Sequence, residues 1–343
     1  MASIKIHFPR KMTSATFTTD ILCQLPELHH ARSAERIIFD FSETESFDSD
    51  VITKIIALGL YYRKESGRKP FLFIPWKPTL LSQLDDMNLF KWLEKSGDFD
   101  WSKEYIGGYN AQKQVKSELH VFKTTEDYFD AFDSGRTMLP SFSYIFDYSK
   151  KYENFSKTHL ERLTVVRKFF EELIQNSIGH GGSPCVIYVE ENKFRRIISI
   201  SDLGVGLNNT LSKKNILANT VEPKSDFDRN LISLVNALFF RMGEKFGLYD
   251  VADDIAQEHL YSEKNPARMR MYNGNCYMLV NYTNFQKNRE SPTNFYKSLE
   301  LNRKSNSAPG REIFQKSKEL NGNMIGFNLD IICPLQNIKS ETR

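Results

Sequence analysis

The sequence predicts an α/β protein in two parts: an α/β sandwich over residues 1–135 and a two-layer α/β unit over 151–340, joined by a linker at 136–150. Three observations predict it. In the first part short apolar runs alternate with helical patterns, the order of a layered α/β fold. In the second, one long helical pattern precedes a hairpin and two closing strands. Between them DSGRTMLPSFS (133–143) carries the turn residues of a boundary.

RIIFDFS (36–42) is a short apolar run bounded by polar residues, as in a buried strand, and SIKIHF at the start reads as a further one. In VITKIIALGLYYRK (51–64), Val51, Ile52, Ile55, Ile56, Gly59 and Tyr62 recur at helical spacing, so a helix begins near Ser49 or Asp50, either a good N-cap. FLFIP (71–75) is the next strand, TLLSQLDDMNLFKWLEK (79–95) the next helix and LHVFK (119–123) the third strand. TTEDYFDAF (124–132) opens a helix capped by Thr. In the second part a helical pattern covers about 156–178, and VIYVEENKFRRIISISD reads as a hairpin around Glu-Asn-Lys. A polar, helix-compatible stretch runs to about 242 and GLYDVADDIAQEH forms another helix. YMLVNYTNF and MIGFNLDIICPL (324–335) close the sheet. Residues 286–322 read as a polar insertion, mobile on the surface.

Composition narrows the function classes. Hydrophobic residues make up 40% and charged residues 26% of the 343, the balance of an ordinary globular chain. A net charge of +3 creates no field that calls for nucleic acid or an anionic membrane. Cys23, Cys185, Cys276 and Cys333 stand singly, which gives neither zinc spacing nor a disulfide framework. With no apolar run near 20 residues and no signal-peptide pattern, a cytoplasmic location without a membrane is expected.

Three segments carry chemistry. In EELIQNSIGHGG (171–182), Glu172, Asn176 and His180 lie four apart and share one helical stripe. It winds beside the core-facing stripe of Leu163, Val166, Phe170, Leu173 and Ser177. An amide and a carboxylate are hard ligands suited to Mg²⁺, and a carboxylate one turn away could orient or deprotonate water. In SDLGVGL (201–207), Asp202 at a strand end precedes Gly204 and Gly206, an acidic acceptor beside a bare backbone. That suits an amino-bearing heterocycle. In MGEKFGLYDVADDI (242–255), Gly243 and Gly247 flank a turn into a helix, whose N–H groups favour phosphate. Singly, each has a plain alternative: a solvated helix face, a tight turn, a helix entry.

In this order the three segments resemble the N, G1 and G2 boxes of the GHKL ATP-binding fold, shared by gyrase-type, chaperone, MutL and histidine-kinase ATPases and by anti-sigma factor kinases. GFNLDIICPL is similar to that family's last strand. The resemblance implies ATP and Mg²⁺ as cofactors. Asn176 would hold the metal, Glu172 would position the attacking group and act as the catalytic residue, and His180 would sit near the phosphates. Asp202 would read the adenine amino group, Gly204 and Gly206 would shape its pocket, and Gly243, Gly247 and Leu248 would lie in the phosphate lid. Lys245 stands where the family has its middle glycine, adding a phosphate contact or stiffening the lid.

The pattern of residues 1–135 is similar to a STAS domain, whose first long helix begins with a Ser or Thr phosphorylated by a kinase partner. Ser49 falls at that place, but Asp50 beside it would repel a phosphate. Three functions stay open: a nucleotide switch or slow ATPase, a serine protein kinase of the partner-switching type, and a scaffold with a degenerate pocket. A regulatory protein partner is expected, with a homodimer as a further option. The basic and aromatic residues of 286–322 could bind single-stranded nucleic acid, but a surface insertion is the preferred reading.

Overall fold

The computed structural model describes residues 2–103, 116–124, 126–127, 174, 177–178, 183–191, 195–204, 206–207, 221–239, 248, 267–281, 285, 291–304 and 315–334. Its first half opens with β1 (Ile4–His7), β2 (Lys11–Met12) and α1 (Ser14–Thr16), whose turns continue to Gln24, then α2 (Leu28–Ser33). β3 (Ile37–Asp40), β4 (Ser46–Phe47) and α3 (Ile52–Ser66) follow, then β5 (Phe71–Phe73), α4 (Pro78–Asp86), α5 (Leu89–Ser96) and β6 (Asp100–Trp101). β1, β3, β5 and β6 form a parallel sheet in that order. The apolar runs IIF and FLF supply its middle strands, as a sheet covered on both faces requires.

α3 departs from an ordinary amphipathic helix. Ile52, Thr53, Lys54, Ile55, Ile56, Leu58 and Leu60 are all buried, so no side of its first three turns faces water. It needs that burial because it lies between two sheets, packing on β8 (Cys185–Glu191) and β9 (Arg195–Asp202) of the second half. Neither Ser49 nor Asp50 caps it. A 3-10 turn (Ser49–Val51) precedes the helix, the Ser49 hydroxyl has no hydrogen-bond partner and Asp50 is drawn into pairs elsewhere. The helix expected over 79–95 is broken in two, because Asn88 adopts φ 59° and turns its amide to the Ser117 carbonyl at 2.5 Å.

The second sheet is antiparallel throughout, in the order β10-β11-β9-β8-β7, with β7 (Lys116–Phe122), β10 (Arg268–Asn281) and β11 (Gln315–Pro334). The sequence reading gave the strand at 119–123 to the first half; it is instead the edge strand of this sheet, paired with β8. Period-2 patterning identifies a strand but not its partner, so this error was open to any local reading. After it the Thr124 hydroxyl accepts from the Asp127 N–H at 3.1 Å, and most of the helix expected over 124–132 lies outside the described residues.

One face of this sheet carries Ile187, Ile198, Ile200, Met269, Met271, Leu329 and Ile331. Against it lie α6 (Asp226–Phe239) and α7 (Pro292–Lys304). Leu231, Leu234, Val235 and Leu238 of α6 are each fully buried, worth about 1.5–3 kcal/mol apiece. α7 overturns the mobile-insertion reading of 286–322. Its Phe295 and Leu299 are fully buried and Tyr296 nearly so, and residues 315–322 belong to β11. Of the aromatic residues weighed there for nucleic-acid stacking, Phe295 and Tyr296 are core residues, and Phe314 lies outside the described residues. Among the described residues no helix is long and apolar enough to cross a membrane. Cys23, Cys185 and Cys276 are free thiols, in keeping with the absence of a disulfide framework.

Candidate functional site

Asp202 is the last residue of β9, between β8 and β11, and the glycine turn 203–207 leaves from it. Its Oδ1 accepts the Gly204 N–H at 2.9 Å and, from β11, the Phe327 N–H at 3.1 Å. Among the described residues its Oδ2 accepts only a long contact, 3.4 Å, from the Ser177 hydroxyl. One oxygen is therefore fixed by two backbone donors, and the other retains lone-pair capacity for an additional N–H. Asp202 as a residue is of intermediate exposure, while its carboxyl group is buried. Burial raises its carboxyl above the ordinary aspartate range, against the opposing pull of the Phe327 and Gly204 N–H groups and the Ser177 hydroxyl. Across the ladder from it, the buried Cys185 thiol is pushed up by burial first and then by the Asp202 charge.

Two glycines are required by this geometry. Gly326, beside Phe327 on β11, has φ +68°, and a Cβ there would lie 2.2 Å from the Asp202 carbonyl oxygen. Gly206 has φ +73°, with a Cβ position 3.1 Å from Asn273 Oδ1. That same Oδ1 accepts the Leu207 N–H at 3.1 Å. Behind it Asn273 Nδ2 donates to Asn230 Oδ1 at 3.4 Å, and Asn230 Nδ2 to Asn275 Oδ1 at 2.8 Å. Buried asparagines from α6 and β10 thus hold the glycine turn from below. Sequence reading did not single out Gly326, Asn230 or Asn273. The only available signal was three asparagines in NGN and DRN, which also suits a turn.

Asp202, Gly204 and Gly206 lie together at the end of β9, and Ser177, the residue after Asn176, meets Asp202. Leu248 is buried with Ile174 and Phe227 in the helix-side core. Glu172, Asn176, His180, Gly243, Lys245 and Gly247 lie outside the described residues. Among the described residues one grouping could hold a metal ion, Glu27, His29 and His30, all exposed beside α2 and no part of this site. Ser49 is 3% exposed, sealed between the halves, with its neighbour Asp50 2.5 Å from Arg270.

Comparisons with protein-family models, curated proteins and solved structures return no match for this chain.

Proposed function

We propose that the second half is an ATP·Mg²⁺-binding module of the GHKL type, serving as a nucleotide-dependent regulatory switch or slow ATPase. One observation carries the reading: a buried carboxylate at a strand end, one oxygen fixed by two backbone donors and the other, among the described residues, meeting only the Ser177 hydroxyl at 3.4 Å, with glycines beside it. An exocyclic amino group is the donor such an acceptor suits. In this reading Asp202 Oδ2 accepts the adenine amino hydrogen, and Gly204 and Gly206 lie against the ring. Asn176 holds Mg²⁺, and Glu172 positions the water that attacks. His180, Gly243, Lys245 and Gly247 face the phosphates, whose charge the ion and the lysine offset.

The burial of Ser49 favours the switch over a kinase acting on the chain's own first half. A phosphoryl group would need water or cations around it, and Asp50 already takes Arg270. Calorimetric titration with a non-hydrolysable ATP analogue and Mg²⁺ tests the proposal. Binding by the wild type, weakened about 10–100-fold in Asp202→Asn and reduced in its Mg²⁺-dependent part in Asn176→Ala, is expected. Equal affinity in all three proteins would overturn it.

A further inference from the structure

The antiparallel sheet of the second half has two faces, and the second bears the pattern of a wet one. Ser199 and Ser201 on β9, Asn328 and Asp330 on β11, and Arg270 on β10 alternate with the apolar residues of the helix side. Such alternation ordinarily marks a sheet face exposed to solvent. Here Ser199, Ser201 and Asp330 are fully buried and Asn328 is 2% exposed, because the first half covers them.

The cover is α3 and the turn before it. Lys54 Nζ donates to Asp330 Oδ1 at 2.7 Å and Oδ2 at 2.8 Å, and sits 5.1 Å from the centre of the Tyr272 ring. Thr53 Oγ1 shares hydrogen bonds with Ser199 at 3.0 Å and Ser201 at 2.9 Å. The Ser199 hydroxyl also bonds the Asp330 carboxylate and, at 3.1 Å, the Asp50 carbonyl. The Asp50 carboxylate takes Ser14 at 2.6 Å and Arg270 at 2.5 Å.

The strands thus gripped are the ones that build the Asp202 site. Ser201 is the residue before Asp202, and Asp330 lies three residues from Phe327, whose N–H fixes Asp202 Oδ1. We infer that docking of the first half onto this sheet face and occupancy of the Asp202 site are thermodynamically linked, β9 and β11 being the shared element. The first half is then the resident regulatory partner of the nucleotide module. The interface is mixed: these hydrogen bonds lie among Val186, Tyr188, Tyr272, Leu320 and Met324, which join the first half's buried cluster, so a shift of β9 or β11 reaches α3 through packing as well as through hydrogen bonds. Linkage is reciprocal: the nucleotide tightens docking, and loosened docking weakens the nucleotide.

The inference rests on the nucleotide reading, and two measurements on the full chain separate them. The first is hydrogen exchange of the wild type with and without saturating ATP analogue and Mg²⁺. Amides of α3 should exchange several-fold more slowly with nucleotide, although α3 lies on the face opposite α6 and α7. The second is calorimetric affinity in Thr53→Val, Ser201→Ala and Lys54→Met, which should fall within the roughly 5–150-fold span of allosteric couplings. Wild-type exchange needs no variant, so it stands even if Lys54→Met fails to fold. Binding with unchanged α3 exchange and unchanged affinity in the folded variants overturns the linkage and leaves the nucleotide site standing. No binding by the wild type overturns both.

Discussion

Asp202 concentrates the chemistry of the second half. A hydrogen bond to a charged acceptor is worth roughly 1.5–3 kcal/mol, so Asp202→Asn should weaken the ATP analogue by about 10–100-fold, read by calorimetry. Its pH dependence follows from burial. The folded-state carboxyl titrates above its ordinary 3.8, so the proton is held more tightly in the folded chain. The stability it contributes is fullest below 3.8 and is lost as pH rises through the raised value. Binding runs the other way, because only the ionised form is a full acceptor. Affinity for the analogue should therefore fall on acidification at a pH above the ordinary aspartate range, and Asp202→Asn should flatten that profile. Gly326→Ala tests the close approach of β11: with φ +68° and a Cβ position 2.2 Å from the Asp202 carbonyl oxygen, backbone must move. A loss of at least 1–3 kcal/mol in urea unfolding is expected, together with weakened nucleotide binding.

At the scale of elements, α3 is held by charge as well as by packing. Burial alone would raise the Asp50 carboxyl, but Lys54 and Arg270 outweigh it and hold Asp50 below the usual range. Its contribution to stability is present above 3.8 and lost as pH falls through that depressed value. Lys54→Met leaves Asp330 buried without its cation and should cost roughly 3–5 kcal/mol in denaturant unfolding. Removing both charges, in Lys54→Met with Asp330→Leu, should recover most of that loss, because no charge is left unpaired. If the double variant were as unstable as the single one, the pair would not be the source of the loss. These elements also show what the sequence discloses. β3, β5, β8, β9 and the last part of β11 were legible from apolar runs and alternation, and Asp202 with its glycines from their place after β9. The partners of strands were not legible. Ser199, Ser201 and Asp330 read as the wet face of a sheet, and nothing local says that a helix more than a hundred residues away covers them. α7 was missed because its polar residues dominate the composition, while Phe295, Tyr296 and Leu299 carry the packing.

Among the described residues the two larger sheets share one helix, α3. The buried cluster around α3 includes Val186, Tyr188, Tyr272, Leu320 and Met324 of the second half along with the first half's core. Unfolding should accordingly be cooperative across the chain. Its three tryptophans, Trp76, Trp92 and Trp101, all lie in the first half, so fluorescence follows that half while far-ultraviolet circular dichroism follows both. The two urea transitions should coincide; separated midpoints would show that the halves unfold independently. The central claim concerns the other face of the second sheet, where Asp202 stands ready to read a base. A crystal structure of the chain with a non-hydrolysable ATP analogue and Mg²⁺ tests it most directly. The account predicts the adenine amino nitrogen within hydrogen-bond distance of Asp202 Oδ2, the ring against Gly204 and Gly206, and the metal on Asn176. Nucleotide bound elsewhere, with the Asp202 carboxylate still facing only Ser177, Gly204 and Phe327, would contradict it.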